Sequence, residues 1–381
     1  MKRYIIISGE TSGDIYGSSL MKMMKKNHSN QVAFWGIGGK SMLNEGLVPL
    51  DLSDNISVVG FTEILKKIPS IHQLMNRLLQ FIDEVKPDGL ILIDFPGFNI
   101  RLAKKLKQKL KIKLPIIYFI SPQIWAWNEG RVHLIKKYID KMLVIFPFEE
   151  KFYKKYNIDA TYLGHPFLDD WVPSDSKQIK NQLGFNINKK LISIFPGSRI
   201  IEIQKHLPTY INVINRLKKQ NENYEFALGL APSFDKQMIR NNYNMKNIKI
   251  VDEEPLKLLE CSELAIVTSG TISLQASLMG TPCIVGYKLS FLSWIISQML
   301  IKIKYISMTN IIANKIVIPE YIQYRMTHEN ITNEANKLLK DDTYYNSVVT
   351  ELENVKNIFL NKKNVMKNAA NIIHDICNEK N

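Results

Sequence analysis

Several polar clusters stand directly after short apolar runs, and their residue types are those of acid–base and anion-binding chemistry. Asp94 closes the run Gly89-Leu90-Ile91-Leu92-Ile93 and is followed by Pro96-Gly97. A carboxylate held by that stiff turn can serve as a general base at a cleft, or it can be a turn or helix-capping aspartate. Ser269-Gly270-Thr271 follows Ala265-Ile266-Val267. It offers two hydroxyls and a glycine-backed helix start, which is one way to hold a diphosphate on backbone N–H groups without a metal. Pro196-Gly197-Ser198-Arg199, with Glu202 close behind, follows Lys190–Phe195, and the guanidinium can add a charge-assisted fork to a phosphate. In the loop Ser121-Pro122-Gln123-Ile124-Trp125-Ala126-Trp127 two tryptophans flank an alanine. They can stack on a sugar, border an acyl groove or lie in the core. Ser8-Gly9-Glu10-Thr11-Ser12-Gly13-Asp14 and Gly36–Gly39 suit an anion cradle or an ordinary strand-to-helix turn, and Asn310 is a further polar candidate in the second half.

Some chemistries are excluded. Neither GxxxxGK[ST] nor GxGxxG occurs, which argues against a P-loop nucleotidase or a dinucleotide dehydrogenase. No Asp-x-Asp follows a strand, so a metal-bridged diphosphate is not expected. The cysteines Cys261, Cys283 and Cys377 form no CxxC, which excludes a disulfide scaffold and the common zinc folds.

The elements that must position these clusters alternate. Strands are expected at Tyr4–Ile7, Val32–Gly36, Gly89–Asp94, Pro115–Ile120 and Lys141–Phe146, with helices after the first, over 61–85 and over Ile100–Leu110. A polar stretch from Gly164-His165-Pro166 through Pro173-Ser174-Asp175-Ser176 reads as a linker, after which the pattern restarts. Strands follow at Lys190–Phe195, Tyr224–Leu230, Ile248–Val251, Leu264–Val267 and Cys283–Tyr287, with a helix over Ile203–Gln220 and a charged helical tail from about Glu329. Such alternation implies two α/β halves with parallel sheets, whose ligands sit beyond the carboxyl ends of the strands. The 381 residues divide into a first domain over 1–170, a second over 171–350 and a helical tail over 351–381 that packs back on the first domain or on a partner subunit.

Lys and Arg number 50 against 36 Asp and Glu, a formal charge of +14. Either an anionic partner or a genome rich in Lys, Ile and Asn codons accounts for that excess. The charges are dispersed and no nucleic-acid recognition module appears, so nucleic acid is not expected as a partner. No signal peptide or membrane-spanning run is apparent, which fits a cytoplasmic protein. One helical face, Phe61, Ile64, Leu65, Ile68, Ile71, Leu74, Met75, Leu78, Leu79 and Ile82, is almost wholly apolar, with Lys66, Lys67 and Arg77 beside it. It reads as a surface for an anionic membrane, or as a core or subunit-contact helix. A second candidate, Phe291–Leu300, is open to the same readings, a dimer seam included.

At these clusters the sequence resembles the lipid-A-disaccharide synthases. The matching pieces are Ser8–Asp14, Gly36–Gly39, Val59-Gly60-Phe61-Thr62-Glu63-Ile64-Leu65, Ile93–Asn99, Ser121–Trp127, Phe146-Pro147-Phe148-Glu149, Gly164-His165-Pro166, Pro196–Arg199 with Glu202, Ser269–Thr271 and Tyr305-Ile306-Ser307-Met308-Thr309-Asn310, in the family's order from about residue 4 to 311. The resemblance implies a GT-B fold, two Rossmann-like domains facing across a cleft. It implies metal-independent, cofactor-free transfer of 2,3-diacylglucosamine from UDP to 2,3-diacylglucosamine 1-phosphate (lipid X), with inversion to a β-1,6 link. Asp94 matches the catalytic aspartate. Arg199, Glu202, Ser269, Gly270, Thr271, Gln275 and Asn310 are expected at the UDP-sugar, and Ser12, Gly13, Asp14, Asn99, Trp125 and Trp127 at the acceptor or cleft. The expected partners are the two acylated sugars and an anionic inner-membrane surface, with a homodimer as an option. The expected place is the cytoplasmic face of the inner membrane. The rival within the fold is another UDP-sugar enzyme, such as a UDP-N-acetylglucosamine 2-epimerase.

Overall fold

The computed structural model describes residues 1–28, 31–50, 68–109, 113–232, 234–289, 294 and 303–379. The chain forms two compact units, Met1–Asp170 with Asn361–Asn381, and Trp171–Leu360. The helical tail thus divides. Its residues up to Leu360 belong to the second unit, and the helix Val365–Glu379 belongs to the first.

The first unit is built on a seven-stranded parallel sheet: β1 (Lys2–Ser8), β2 (Val32–Ile37), β3 (Leu47–Pro49), β4 (Gly89–Ile93), β5 (Ile116–Phe119), β6 (Lys141–Val144) and β7 (Ala160–Tyr162), in the order β3-β2-β1-β4-β5-β6-β7. The second carries β8 (Lys190–Phe195), β9 (Tyr224–Gly229), β10 (Lys249–Val251), β11 (Leu264–Val267), β12 (Cys283–Tyr287) and β13 (Glu320–Ile322), in the order β10-β9-β8-β11-β12-β13. Counted within each unit, both run 3-2-1-4-5-6, the doubly wound order, with a seventh strand added in the first, and the order reverses next to the first strand. The sequence pattern alone does not reveal β3, β7 and β13. Each is three residues at a sheet edge or next to one, too short to show a period.

Strands buried on both faces need helices on both. In the first unit Ile5, Ile7, Leu90 and Leu92 face one apolar layer and Tyr4, Ile6, Ile91 and Ile93 the other, the period-2 alternation of a strand. The helix Ile68–Val85 supplies Leu74, Met75, Leu78, Leu79 and Ile82 to the first layer, all buried, with Ile71 packed at its margin. The expectation that this face meets a membrane is therefore overturned for the described residues: the sheet consumes it. Phe61, Ile64 and Leu65, with Lys66 and Lys67, lie outside the described residues, as do Val59–Leu65 as a motif and every residue of Phe291–Leu300 except Trp294. The opposite layer is closed by the helices Thr11–Asn27 and Val365–Glu379. Cys377 of the latter sits over Gly89, where a Cβ would come within 2.5 Å of its sulfur. No described helix is long and apolar enough to cross a membrane.

Candidate active site

Ser8 pairs in register with Ile93, and Ile93 with Phe119. The segments Gly9–Asp14, Asp94–Asn99 and Ser121–Trp127 therefore leave β1, β4 and β5 side by side, where the strand order reverses. Asp94 and Phe95 have φ of +44° and +49°. Asparagine and aspartate enter that left-handed region at modest cost, but phenylalanine is an outlier there. The turn is held by several contacts. The Asp94 N–H donates to the Ile120 carbonyl at 3.3 Å. The Asn99 amide donates to the carbonyls of Ile93 (3.3 Å) and Asp94 (2.8 Å), and the Tyr118 hydroxyl also donates to the Asp94 carbonyl. The Phe95 ring lies over Gly9, where a Cβ would fall 2.5 Å from its Cγ, so only glycine fits there. A strained turn this heavily restrained is of the kind found at functional sites. β4 ends at Ile93, and Pro96 opens the helix Pro96–Lys109.

Asp94 is half-buried. Burial first, and then the Asp94 charge, push the Tyr118 phenol well above its ordinary value, and Arg131 opposes this. The Arg131 guanidinium stands 4.6 Å from the ring of Trp127, which is 39% exposed. Trp125 turns inward: its indole N–H donates to Glu149 Oε1 at 3.1 Å and its ring meets Phe148 edge-on at 4.8 Å.

In the second unit Phe195 pairs with Val267, and the Thr268 N–H donates to the Phe195 carbonyl at 3.1 Å. The turn Pro196–Arg199 and the turn Thr268–Thr271 thus rise together from β8 and β11. Gly270 starts the helix Thr271–Met279 with no side chain capping it, and a Cβ at Gly270 would meet nothing within 4 Å. The space over Gly270 is open, and the Ser273 N–H is already returned to the Gly270 carbonyl at 3.2 Å; a glycine-started helix end of this kind is suited to an anion. Thr271 is exposed and Ser269 and Gln275 half-buried, with the Ser269 hydroxyl donating to the Ile306 carbonyl at 2.8 Å. Arg199 is exposed at the start of the helix Ile200–Gln220.

Several expected ligand contacts have other work. Glu202 Oε2 accepts the N–H groups of Ser198 (3.0 Å) and Arg199 (3.2 Å) and so closes the turn. Asn310 is fully buried. Its amide donates to Ile318 O and Glu320 Oε1, both at 2.8 Å, and its oxygen accepts from Val317 N (2.7 Å) and Ile318 N (3.0 Å). An amide so used has nothing left for a nucleotide. Asn99 is likewise fully buried and serves the Asp94 turn. Asp14 accepts from the N–H groups of Gly39 (2.8 Å), Ser41 (2.9 Å) and Met42 (3.0 Å), and so caps the helix Lys40–Asn44. Gly13 is a packing glycine against the Ser8 hydroxyl. Ser12, in the first turn of Thr11–Asn27, is half-buried.

Two residues without a sequence expectation hold the second site together. His206 is fully buried: the Lys288 N–H donates to its Nε2 at 3.0 Å, so Nδ1 carries the hydrogen and donates to the Pro196 carbonyl at 2.9 Å. Burial holds its pKa down. One turn on, the Tyr210 hydroxyl reaches the carbonyls of Val267 and Gly286, both at 3.1 Å. A His and a Tyr at i, i+4 among Ile203, Leu207, Val213 and Ile214 were polar residues on a core face, which is the signal that could have found them. Among the described residues no three His, Cys, Asp or Glu side chains gather as around a metal ion.

Comparison with known proteins adds the following. The family model described as lipid-A-disaccharide synthetase matches residues 4–373. A lipid-A-disaccharide synthase of Coxiella burnetii is 33% identical over 376 residues, 98% of each chain. Lipid-A-disaccharide synthase 1 of Legionella pneumophila (strain Paris) is 33% identical over 357 residues, 93% of this chain and 92% of the relative. Among solved structures, a UDP-GlcNAc 2-epimerase from Neisseria meningitidis bound to UDP-GlcNAc matches with a TM-score of 0.63 at 14% identity, over 100% of both chains. MurG of Acinetobacter baumannii matches with 0.55 at 11% identity, over 98% of this chain and 100% of that one. These structural likenesses show the fold, which is GT-B.

Proposed function

The chain belongs to the lipid-A-disaccharide synthase family, and we propose that it condenses UDP-2,3-diacylglucosamine with 2,3-diacylglucosamine 1-phosphate, giving the β-1,6-linked disaccharide 1-phosphate and UDP with inversion. It is a glycosyltransferase enzyme. The observation that carries the finer reading is the contrast between the two sheet ends: a restrained carboxylate turn at Asp94 in one unit, and uncapped helix amides beside Arg199 in the other.

In this reading Asp94 takes the proton of the acceptor 6-hydroxyl as its oxygen attacks the donor anomeric carbon from the face opposite UDP. The bond to the diphosphate oxygen breaks and its electrons leave with UDP. Such a base contributes about 10²–10⁴-fold. Arg199, Thr271 and the amides behind Gly270 meet the diphosphate and its growing charge, Ser269 braces the turn through its bond to Ile306, and Gln275 offers an amide to the ribose. Trp127 and Ser12 lie at the acceptor end. Because both sugars carry acyl chains, the enzyme works at an anionic membrane surface, which flotation with anionic liposomes tests.

The function is tested by incubating the full chain with both acylated sugars and reading the lipid product by mass spectrometry. A disaccharide 1-phosphate formed with stoichiometric UDP supports it. UDP-sugar consumed without disaccharide, or epimerised, refutes it.

A further inference from the structure

Glu149 is a carboxyl with no exposure at all, in a chain whose other acids mostly face water. It stands in the first turn of the helix Pro147–Lys154 and accepts from the Phe146 N–H at 3.2 Å and the Trp125 indole at 3.1 Å. The Ser121 hydroxyl and the backbone of Ile145 also lie within its hydrogen-bonding reach. Ser121 Oγ in turn lies 2.6 Å from the Tyr153 hydroxyl and 3.1 Å from the Pro122 carbonyl. The Ser121–Trp127 loop adjoins the Asp94 turn through the 3.3 Å bond from Asp94 N to Ile120 O. A single carboxyl therefore ties both ends of that loop, Ser121 and Trp125, to the sheet.

We propose that Glu149 is the positioning residue of the acceptor-side loop: through Ser121 and Trp125 it sets the segment that carries Trp127 beside Asp94. This rests on the acceptor binding in the first unit, as proposed above.

The groups facing Glu149 are Ser121 and Trp125 from the loop, the backbone of Ile145 and Phe146 after β6, Tyr153 on its own helix, and His165 across the Phe146 ring, 6.0 Å from it. All of its named partners are neutral donors. Burial outweighs them and raises the carboxyl to about 8. A neutral Glu149 donates its proton to Ser121 Oγ, which leaves the Ser121 hydrogen for the Pro122 carbonyl. An ionised Glu149 must instead receive that hydrogen, and the Pro122 carbonyl loses its donor. Ionisation thus re-aims the Ser121 hydroxyl and changes how the loop is held at Pro122.

The test uses the full chain, with Glu149→Gln, which cannot ionise, Glu149→Asp, which is too short to reach the indole, and Trp125→Phe. Wild-type tryptophan fluorescence should titrate with a midpoint near pH 8, and both Glu149→Gln and Trp125→Phe should lose that step. Wild-type kcat/KM for the acceptor should fall about tenfold per pH unit above the midpoint, while Glu149→Gln stays level. Glu149→Asp should lose at least about tenfold in acceptor kcat/KM at pH 7 with UDP binding unchanged, and Glu149→Gln, whose oxygen can accept from only one of the Trp125 and Phe146 N–H groups, should regain part of it. A fluorescence step that persists in Glu149→Gln overturns the proposal, and so does an acceptor profile identical in wild type and Glu149→Gln. A wild type that makes no disaccharide at any pH refutes the proposed function instead. The fluorescence titration then decides alone whether Glu149 governs the loop.

Discussion

Acid should unfold the first unit by way of His165. Its ring is buried among Tyr16, Phe146 and Phe167, with centroids 6.2, 6.0 and 6.5 Å away. The Phe167 N–H donates to Nδ1 at 3.3 Å, so that nitrogen must stay unprotonated. Burial lowers the pKa from 6.5 to about 3. The unfolded chain therefore binds a proton that the folded unit refuses. Stability is complete above 6.5 and is lost as pH falls from there toward 3. The slope for one proton is about 1.4 kcal/mol per pH unit, so acidification to pH 4.5 removes roughly 3 kcal/mol through this residue alone. For a unit of this size that is about 6–12 °C in Tm. His165→Gln keeps an acceptor for the Phe167 N–H and cannot titrate. Calorimetry of both full chains between pH 4.5 and 7.5 isolates the effect, because every other titrating group contributes equally to the two. The wild-type transition of the first unit should approach and then drop below that of the variant as pH falls. A gap between the two that stays constant with pH would refute the assignment of a buried, neutral imidazole.

Three further outcomes are expected. Asp94→Asn should lower kcat by at least about 10²-fold with UDP affinity and Tm nearly unchanged, and near-normal turnover would remove the base assignment. Arg199→Ala should weaken UDP binding by roughly 2–4 kcal/mol in calorimetric titration, and Arg199→Lys should recover only part; equal affinities would place the diphosphate elsewhere. Asn310→Ala should destabilise the second unit by roughly 3–5 kcal/mol in urea, because it strands the buried groups of Val317 and Ile318, and an unchanged midpoint would show that these groups re-pair.

The doubly wound architecture was legible because apolar runs of four to six residues alternate with helical periods, and period is a property of the chain alone. The clusters after β1, β4, β5, β8 and β11 were legible for the same reason. What each polar side chain does was not. Asn310, Glu202, Asp14 and Asn99 have the residue types of ligand contacts, yet each is occupied by backbone groups distant in sequence or around its own turn. A buried amide and a ligand-facing amide look identical until the loop that uses them is folded. The helix Ile68–Val85 fails in the same way: a face with an apolar stripe fits a lipid surface or a sheet equally well, and only the presence of β1 and β4 beneath Leu74, Leu78 and Ile82 decides.

Two sheets wound in one order present the same reversal point, so the difference in chemistry must come from the few residues placed there. At the end of β4 the chain invests four hydrogen bonds and a ring over Gly9 in holding a carboxylate-bearing turn in an unfavourable conformation. At the end of β11 the restraint is displaced one step outward. Ser269 is tied to Ile306, and His206 and Tyr210 tie the strand ends, while Gly270 stands open with no side chain capping the helix. A general base gains from rigidity at its own backbone, because its oxygen must meet one proton. A diphosphate site gains from bare N–H groups on a rigid frame, because the ligand supplies the charge. The frames therefore differ in the direction that the proposed base and nucleotide roles require.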